Sequence, residues 1–343
     1  MKILIAGAAW HDDLIHVVSF GFQELGHVTV IFDDNIKNRA YTESKIANRL
    51  PFLRLQRIFN DRYRAQVGIR LHKAIERERP DMVFVINGTA YAHDDIARMR
   101  AYFGIPFIAY VIDDPLLKER WLYDLGAYSH VFVIDRSWMG YLAFFNAGRV
   151  FYLPQTGDHR IFRPLGIARD YDIGFGGSLS LRLPNAPSGF LRAQILNAFA
   201  EAGFSIQVFA PGIRETFRYF PALKKIDYYD GYKNHEELNR LYNRARITVS
   251  IHSPQFKTGI SPRVFEAAFA GSFQLIQYED DVAVLFPGCG VSFKSLHEAV
   301  EKARYYIVHH DECAKIAEAA RATALREHTF RSRAERVLYH VYD

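Results

Sequence analysis

The chain has 343 residues, of which 49% are apolar and 24% are charged, and its formal net charge at pH 7 is +5. This composition is typical of a soluble globular protein that is long enough for two domains. Two cysteines argue against a disulfide-stapled scaffold and are typical of a reducing compartment, and the apolar run before His11 is too short for a signal peptide or a membrane span. We therefore expect a cytoplasmic protein.

The first half of the chain alternates between strand and helix patterns. Longer stretches such as 62–78 and 137–147 are predicted helices. Short runs rich in β-branched and aromatic residues are predicted strands: KILIAGA, HVTVIFD, DMVFVIN, IPFIAYVIDD, HVFVID and VFYLP. Strands separated by helices favour a parallel, doubly wound sheet.

A stretch rich in proline and glycine, PQTGDHRIFRPLGIARDY, then interrupts the pattern, and the alternation restarts with YDIGFGGS, SIQVFAPG, ITVSIHS, FQLIQY and GVSF. The sequence thus predicts an α/β protein with two Rossmann-like, doubly wound domains. The predicted boundaries are 1–155 for the first domain, 156–170 for a linker, 171–325 for the second domain, and 326–343 for a C-terminal helix that is able to pack back on the first domain.

Basic residues are concentrated between positions 39 and 79, a segment that contains 11 Lys and Arg residues but only four acidic residues. Two interpretations stay open. The run is either a solvated helix face or a contact surface for an anionic acceptor or the inner, anionic face of a membrane. No recognisable nucleic-acid module accompanies the run, which argues against nucleic acid as a partner.

The stretch KTGISPRVFEAAFAGSFQLI, at 257–276, predicts a helix that starts near Pro262 and is followed by a buried strand. Arg263 and Glu266 would lie on one face of its first turn. The unpaired N–H groups and partial positive charge of a helix start suit a phosphate group. A capped, charged helix start without a ligand is the alternative interpretation.

A second glycine-containing motif, DIGFGGSLSLR, leads from a predicted strand into Gly176, Gly177 and Ser178, with Arg182 close behind. Two glycines let a backbone approach a ligand closely, and exposed N–H groups in such a turn can hold phosphate. The alternative is a structural turn followed by a surface arginine.

Several catalytic motifs are missing from the sequence. It has no G-x-G-x-x-G after the first strand, no P-loop and no G-x-S-x-G elbow, which argues against a dehydrogenase, an NTPase and an α/β-hydrolase. The 14 histidines and two cysteines form no cluster with metal-ligand spacing, so no metal and no other cofactor is expected.

The second half of the chain resembles the CgeB-like (spore maturation protein type) glycosyltransferases of the GT-B fold. The resemblance covers about residues 171–340. The first half resembles the family only loosely, through YVIDDP and YLPQTGDHRIFRP. The motifs that carry the resemblance occur in the family's order: FGGS with Arg182, GY at 231–232, ELNRLYNRARITVSIH, SPRVFEAAFAGSFQLI, LFPG and HTFRSR.

The resemblance implies two domains that face each other across a cleft, with a nucleoside-diphosphate sugar, of UDP type by preference, held by the second domain. Glu266 would then bind the ribose hydroxyls, Arg263 and Lys257 would face the pyrophosphate together with Gly177, Ser178 and Arg182, and Tyr232 would stack on the base. Such a site needs no metal, because fixed cations stabilise the leaving diphosphate. Many relatives carry a second Glu eight positions earlier, where this chain has Thr258.

The acceptor side of such an enzyme needs a base if the reaction inverts the anomeric centre. We rank Asp114 first, then Asp13, then His93, although N-cap and turn roles explain such residues equally well. The polar residues just past predicted strand ends of the first domain are His11, Asp12, Asp13, Asn87, His93, Asp94, Asp113 and Asp114.

The expected function is therefore glycosyl transfer of hexosyltransferase type (EC 2.4), from a nucleoside-diphosphate sugar to an acceptor that the sequence does not identify. A saccharide, a lipid-linked glycan and a protein all stay open as acceptors. Two alternatives use the same fold: a nucleotide-sugar epimerase, and a noncatalytic sugar-binding protein that has lost activity.

Overall fold

The computed structural model describes residues 1–7, 12–35, 39–48, 52–117, 120–145, 149–182 and 186–343. The chain divides into two compact units. The first unit comprises Met1–Pro154 together with Phe330–Asp343, and the second comprises Gln155–Thr329. Each unit contains a parallel sheet flanked by helices, as the alternating pattern predicts.

In the described part of the first unit, a sheet of six strands has the order β2-β1-β3-β4-β5-β6. Every neighbouring pair is parallel, with Ile3 of β1 opposite Thr29 on one side and Met82 on the other. Its strands are β1 (Lys2–Gly7), β2 (Val28–Asp33), β3 (Met82–Ile86), β4 (Phe107–Val111), β5 (His130–Val133) and β6 (Val150–Tyr152).

The helices of the first unit cover both faces of this sheet, so strands β3 and β4 are buried at every position and read as continuous apolar runs. Helix α3 begins nine residues before the predicted 62–78 segment. The region predicted as one helix at 137–147 is a 3₁₀ turn, Arg136–Trp138, followed by a short α6. The helices are α1 (Asp12–Gln23), α2 (Arg39–Ala47), α3 (Leu53–Glu78), α4 (His93–Phe103), α5 (Trp121–Leu125) and α6 (Met139–Ala143).

The second unit repeats the architecture, with the strand order β12-β11-β10-β7-β8-β9 among its described residues. The chain leaves β7 toward β8 on one side and returns to β10 on the other, which makes the crevice between β7 and β10 a topological switch point. The strands are β7 (Tyr171–Gly176), β8 (Ile206–Phe209), β9 (Asp227–Tyr229), β10 (Ala245–Ser250), β11 (Gln274–Gln277) and β12 (Ser292–Phe293).

Two apolar clusters form the core of the second unit. One includes Leu196, Phe199 and Val249, and the other includes Tyr242 and Phe265. The helices around them are α7 (Ala186–Glu201), α8 (Ile213–Thr216), α9 (His235–Arg244), α10 (Pro262–Phe269), α11 (Asp280–Leu285), α12 (Leu296–Val308) and α13 (His310–Glu327).

The last helix, α14 (Phe330–Tyr342), belongs to the first unit. It packs against α1 so closely that a Cβ atom on Gly21 would lie 2.5 Å from the carbonyl oxygen of Phe330. The buried Arg333 donates from Nε to the carbonyl oxygen of Pro154 at 2.8 Å, and burial lowers the pKa of this guanidinium to about 10. The first sheet and the end of the chain are thereby joined.

None of the helices in the described ranges combines the length and the apolar character that crossing a membrane requires.

Candidate functional site

The switch point of the second unit holds a cavity of about 200 Å³. The carboxyl ends of β7 and β10 form its floor, and the start of α10 forms one wall. Its polar lining comprises Ser178, Arg192, Tyr242, Ser250, Ser261 and Arg263. Open α/β sheets bind ligands at this position, so the cavity is the candidate ligand site of the unit.

The start of α10 is fixed by its own sequence. Ser261 is the N-cap, its hydroxyl accepts from the N–H of Arg263 at 3.4 Å, and Pro262 occupies the first helical position, where its missing N–H costs nothing. Gly271, at φ +67°, ends the segment in the left-handed conformation that glycine tolerates best. The predicted helix start is therefore present.

A buried histidine, His252, positions this helix start from below. The N–H of Ser261 donates to His252 Nδ1 at 3.1 Å, so His252 Nε2 carries the proton and donates to the carbonyl oxygen of Gln277 at 3.0 Å. Burial lowers the pKa of His252 to about 4, which keeps the ring neutral and able to accept. No role for His252 was predicted from the sequence.

Arg263 and Glu266 form the predicted pair on the first turn of α10. Arg263 Nη1 donates to Glu266 Oε2 at 2.5 Å, and the Tyr242 hydroxyl donates to the same oxygen at 3.3 Å. Burial disfavours the charged guanidinium, but the Glu266 carboxylate outweighs it and holds the pKa of Arg263 above its ordinary value. Glu266 itself is only 5% exposed and lies beneath the cavity wall rather than in its lining.

Gly157, from the predicted linker, packs directly against this carboxylate residue. A Cβ atom on Gly157 would lie 2.7 Å from Glu266 Cγ and 3.2 Å from its Cα. Contacts below 3.0 Å force something to move, so only glycine fits here while Glu266 keeps its place. The linker therefore takes part in holding the ion pair.

Arg192, on α7, contributes a second guanidinium to the cavity. Its Nη1 donates to the carbonyl oxygen of Ser178 at 3.1 Å, while its buried Nε has no partner among the described residues. Burial, reinforced by the nearby charge of Arg263, lowers the pKa of Arg192 to about 10, so the group stays charged at neutral pH. Arg192 was not predicted from the sequence, because it lies on a different element and its sequence context is that of a surface arginine.

The electrostatics of the cavity favour an anion. Arg192 and Arg263 face it, whereas no Asp or Glu occurs among the residues that the structure places in its lining. The N-terminus of α10 adds a partial positive charge, while the N–H groups of Ser261, Arg263 and Val264 already have acceptors within the protein. A buried guanidinium donor without a partner gains most from a ligand oxygen.

The glycine motif after β7 has a packing role. The N–H of Gly177 donates to the carbonyl oxygen of Phe209 at 3.0 Å and so extends the sheet. A Cβ atom on Gly176 would lie 2.3 Å from Leu238 Cδ1, so a side chain here would require the end of the Leu238 side chain to move. Gly177 and Ser178 line the cavity, but the Gly177 N–H is already engaged.

Three other predicted binding residues lie outside the cavity lining. Arg182 is exposed and pairs with Glu215 at 3.1 Å, and Lys257 Nζ donates to the carbonyl oxygen of Pro254 at 3.1 Å. Tyr232 is 79% exposed. Nothing in these positions tests the predicted roles.

The first unit has its own cavity, of about 610 Å³, at the carboxyl end of its sheet. Asn87 follows β3 in the left-handed conformation, at φ +62°, and Asp113 follows β4. Asn87 Nδ2 donates to Asp113 Oδ2 at 2.9 Å, and Asn87 Oδ1 accepts from the N–H of Ile112 at 2.9 Å. Both residues are among the polar residues predicted just past strand ends, and the structure brings them together.

The three predicted base residues are not part of that cavity's described lining. Asp114 Oδ1 accepts from the N–H of Leu116 at 2.9 Å and so caps the 3₁₀ turn Pro115–Leu117. His93 begins α4 and stacks on Tyr123, with 4.4 Å between ring centroids. Asp13 lies in α1, but its side chain is outside the described residues, as is His11.

Asp34 is a residue of the first cavity that the sequence analysis missed. It follows β2, lines the cavity and is only 5% exposed. Burial raises the pKa of this carboxyl group from its ordinary 3.8 to about 7, an effect that the Tyr91 hydroxyl opposes and the charge of Asp33 reinforces. The rule used for Asp113, a polar residue just past a strand's carboxyl end, would also have found Asp34.

Comparisons with known proteins agree with the resemblance seen in the motifs. Residues 192–339 match a family model described as glycosyl transferase-like. The chain is 23% identical over 261 residues to spore protein CgeB of Bacillus subtilis (strain 168), a match that covers 71% of this chain and 78% of CgeB.

Solved structures show the same architecture. Sucrose-phosphate synthase from Thermosynechococcus elongatus has a TM-score of 0.71 at 12% identity, with 99% of this chain and 98% of that chain covered. HepE of Anabaena, in complex with UDP-glucose, has a TM-score of 0.65 at 12% identity, with 99% and 98% covered. The predicted GT-B fold with two Rossmann-like domains and the predicted resemblance to CgeB-like glycosyltransferases are both confirmed.

Proposed function

We propose that this protein, in which residues 192–339 match a glycosyl transferase-like family, is a glycosyltransferase that uses a nucleoside-diphosphate sugar. The observation that carries this proposal is the pair of guanidinium groups, Arg192 and Arg263, in one cavity at the start of α10, without a carboxylate in the described lining. A diphosphate gains negative charge as it leaves the sugar, and fixed cations and the positive end of a helix dipole stabilise that charge.

In the proposed reaction, the bond between the anomeric carbon and the diphosphate oxygen breaks, and a bond from that carbon to the acceptor forms. The acceptor's proton goes to a base or, in a retaining reaction, to the departing diphosphate. Asp114, Asp13 and His93 remain our candidates for the base. The hexosyltransferase class is part of this proposal.

Glu266 remains the proposed ligand of the ribose hydroxyls, with one added condition. Its Oε2 atom already accepts from Arg263 and from the Tyr242 hydroxyl. Binding of a diphosphate would draw the Arg263 guanidinium toward the phosphate oxygens and release part of the carboxylate for the ribose. On this proposal Arg263 and Glu266 stay paired with each other until the donor binds, and then contact the diphosphate and the ribose respectively.

UDP is the nucleotide to test first. HepE has been solved in complex with UDP-glucose and with UDP, and it shares the fold of this chain. We propose the same nucleotide class here, with Tyr232 as the residue that stacks on the base and Arg182, Lys257 and Ser178 as further phosphate contacts. We also propose that transfer needs no metal, because Arg192 and Arg263 supply the positive charge.

A thermal-shift titration with UDP, in EDTA and in Mg²⁺, tests the donor site. UDP at 100 times its Kd should raise the free energy of unfolding by about 2.7 kcal/mol in either buffer. Arg192→Gln and Arg263→Gln should each weaken UDP binding at least tenfold, since each removes a charge-assisted hydrogen bond. Arg182→Gln is the matched control, because that arginine is exposed and outside the cavity lining.

Absence of any shift with UDP, GDP or ADP, or a shift that appears only with Mg²⁺, would contradict the proposed donor site. Incubation of UDP-glucose without an acceptor separates the alternatives: an epimerase converts the sugar, and a noncatalytic protein leaves it unchanged even when candidate acceptors are added.

We also propose that helices α2 and α3 place the protein at the inner, anionic face of a membrane. Four large apolar side chains near their junction, Ile46, Phe52, Leu55 and Ile58, are between 41% and 59% exposed. Exposed basic residues surround them, among them Lys45, Arg54, Arg57 and Arg62. Apolar side chains that enter a headgroup layer and cations that attract anionic lipid together favour such binding.

Co-sedimentation with vesicles tests this contact. The full chain should bind vesicles that contain phosphatidylglycerol, less so at high salt, and bind phosphatidylcholine vesicles weakly. Phe52→Ser combined with Ile58→Ser should reduce binding at least fivefold, whereas Tyr102→Ser, an exposed aromatic residue on α4, should not. Equal binding to both kinds of vesicle, or none, would contradict the proposal.

A further inference from the structure

The second unit has another cavity, at the opposite end of its sheet from the proposed nucleotide cavity. We call it the rear cavity; its volume is about 390 Å³, within the range of pockets that bind small molecules. Arg246, near the start of β10, and Phe273, just before β11, belong to its lining. The proposed nucleotide cavity adjoins Ser250, at the other end of β10. The two cavities are therefore separate.

One face of α13 forms a wall of the rear cavity. Its lining residues are three or four positions apart, which is the spacing of a single helix face. They are His310, Cys313, Ala314, Ala317, Glu318 and Arg321. The side chains in the middle of this face are small, so they leave open space in front of the strands. Burial, reinforced by the charge of Glu312, raises the pKa of the Cys313 thiol to about 11, so this thiol is neutral at pH 7.

Two guanidinium groups of the rear cavity are held by backbone carbonyl groups. Arg169 Nη1 donates to the carbonyl oxygen of Ala245 at 3.1 Å, and its Nη2 donates to that of Gly271 at 3.3 Å. Arg321 Nε donates to the carbonyl oxygen of Phe269 at 3.2 Å. These contacts position both cations and use only part of the N–H donors that a guanidinium group carries. Donors that are already positioned lose less conformational entropy when they bind a ligand.

The charged groups of the rear cavity favour an anion. Three arginines, Arg169, Arg246 and Arg321, belong to the lining. Glu318 is the acidic residue among those that the structure places there, and it is exposed. Arg246 Nη1 lies 3.3 Å from Asp172 Oδ1, outside the lining, so the charge of this arginine is partly compensated. The cations still outnumber the carboxylates, and guanidinium groups match the geometry of phosphate oxygens.

An aromatic pair supplies the apolar part of the lining. Phe273 and Tyr306 pack with 4.5 Å between their ring centroids. Phe273 is almost fully buried, whereas Tyr306, on α12, is half-buried. A ligand that carries an apolar or planar body beside its anionic group would therefore contact the Tyr306 ring.

We propose that the rear cavity is a second anion site, which binds the phosphate group of a small organic phosphate through Arg169, Arg246 and Arg321. The inference goes beyond the proposed function and does not depend on it, because no residue of the proposed nucleotide cavity takes part. The residues of the rear cavity come from separate segments of the chain, so no sequence motif indicated the site.

Saturation-transfer NMR on the full-length protein tests the rear cavity. The probes are phenyl phosphate and ribose 5-phosphate, with phenol and ribose as their uncharged counterparts. At least one phosphate should receive saturation, and its counterpart should receive at least fivefold less. Arg246→Gln should weaken phosphate binding at least fivefold, since it removes a charge-assisted hydrogen bond. Arg244→Gln is the matched control, because Arg244 also pairs with one aspartate, Asp170, at 2.9 Å but lies outside the lining.

Ala314 offers a second pair of variants, which leaves every arginine in place. This residue is exposed on α13 and belongs to the lining, so its substitution should not disturb the fold. Ala314→Glu adds a carboxylate to the rear cavity and should weaken phosphate binding at least fivefold through like-charge repulsion. Ala314→Gln adds a side chain of the same size without the charge and should bind within twofold of the unsubstituted protein.

Three results would overturn the inference: no saturation of either phosphate, equal binding by Arg246→Gln and Arg244→Gln, or equal binding by the two Ala314 variants. Saturating UDP should leave the phosphate signal intact, and its loss would place the phosphate in the proposed nucleotide cavity and also overturn the inference. UDP titration of the same samples reports separately on the proposed function. If UDP does not bind, the Arg246 and Ala314 variants still decide whether the rear cavity holds the phosphate.

Discussion

The burial of the Asp34 carboxyl group leads to a quantitative prediction about the stability of the protein. Replacing Asp34 with Asn should stabilise the protein at alkaline pH and have a much smaller effect in mild acid. The folded-state pKa of Asp34 is raised, so the folded protein binds this proton more tightly than the unfolded chain. Its contribution to stability is therefore complete below about pH 4 and is lost as the pH rises through about 7.

The size of the effect follows from the shift of the pKa from 3.8 to about 7. Each pKa unit corresponds to about 1.4 kcal/mol, which sets a ceiling of about 4 kcal/mol above pH 8. At pH 5 the cost of burying the Asp34 carboxyl group is about 1.7 kcal/mol. At this pH Asp34 is already protonated in the folded protein but mostly ionised in the unfolded chain. The advantage of Asp34→Asn should therefore grow by about 2–3 kcal/mol between pH 5 and pH 8.

Thermal unfolding followed by circular dichroism measures this difference. For a domain of 150 to 250 residues, each kcal/mol shifts Tm by about 2–4 °C, so the gain in Tm from Asp34→Asn should increase by about 5–10 °C over this pH range. Asp61→Asn, exposed on the same cavity, provides the control and should show no such trend. A gain that stays constant or shrinks with pH would refute the reasoning about Asp34.

Three further predictions concern positions where packing or hydrogen bonding leaves little freedom. Gly157→Ala should displace Glu266, cost about 1–3 kcal/mol in a urea titration and weaken UDP binding; an unchanged Kd for UDP would contradict the role of this contact. Acidification from pH 7 to pH 4 should lower the free energy of unfolding by about 3 kcal/mol through His252, because its pKa in the folded protein is lowered to about 4 and stability is lost as the pH falls. His252→Gln should flatten this part of the stability profile, although it also removes the nitrogen that accepts from the N–H of Ser261. Gly21→Ala should place a methyl group 2.5 Å from the carbonyl oxygen at the start of α14 and lower Tm by several degrees, and an unchanged Tm would show that α14 can shift freely.

The fold was largely predictable because parallel strands covered on both faces are continuous apolar runs. Helix α3 begins at Leu53, earlier than predicted, because apolar residues also lie on its exposed side and blur the helical periodicity.

The candidate site was predictable where its residues belong to one short motif, at the start of α10 and in the glycine turn after β7. Ser261, Pro262, Arg263 and Glu266 share one helical turn, so their spacing already places them together. Arg192 reaches the same cavity from α7, through packing that no local pattern encodes. The predicted contacts from the exposed Arg182 and Lys257 depended on loop conformations, which sequence spacing does not fix.

The return of α14 to the first sheet has a consequence for biogenesis. Residues Gln155–Thr329 form one uninterrupted block, whereas the first unit combines the beginning of the chain with Phe330–Asp343, the last residues to be made. During synthesis the first unit therefore has the α1 surface around Gly21 uncovered until α14 is added. A released chain that ends at Thr329 should therefore contain a protease-resistant second unit beside a first unit that chaperones and proteases still recognise.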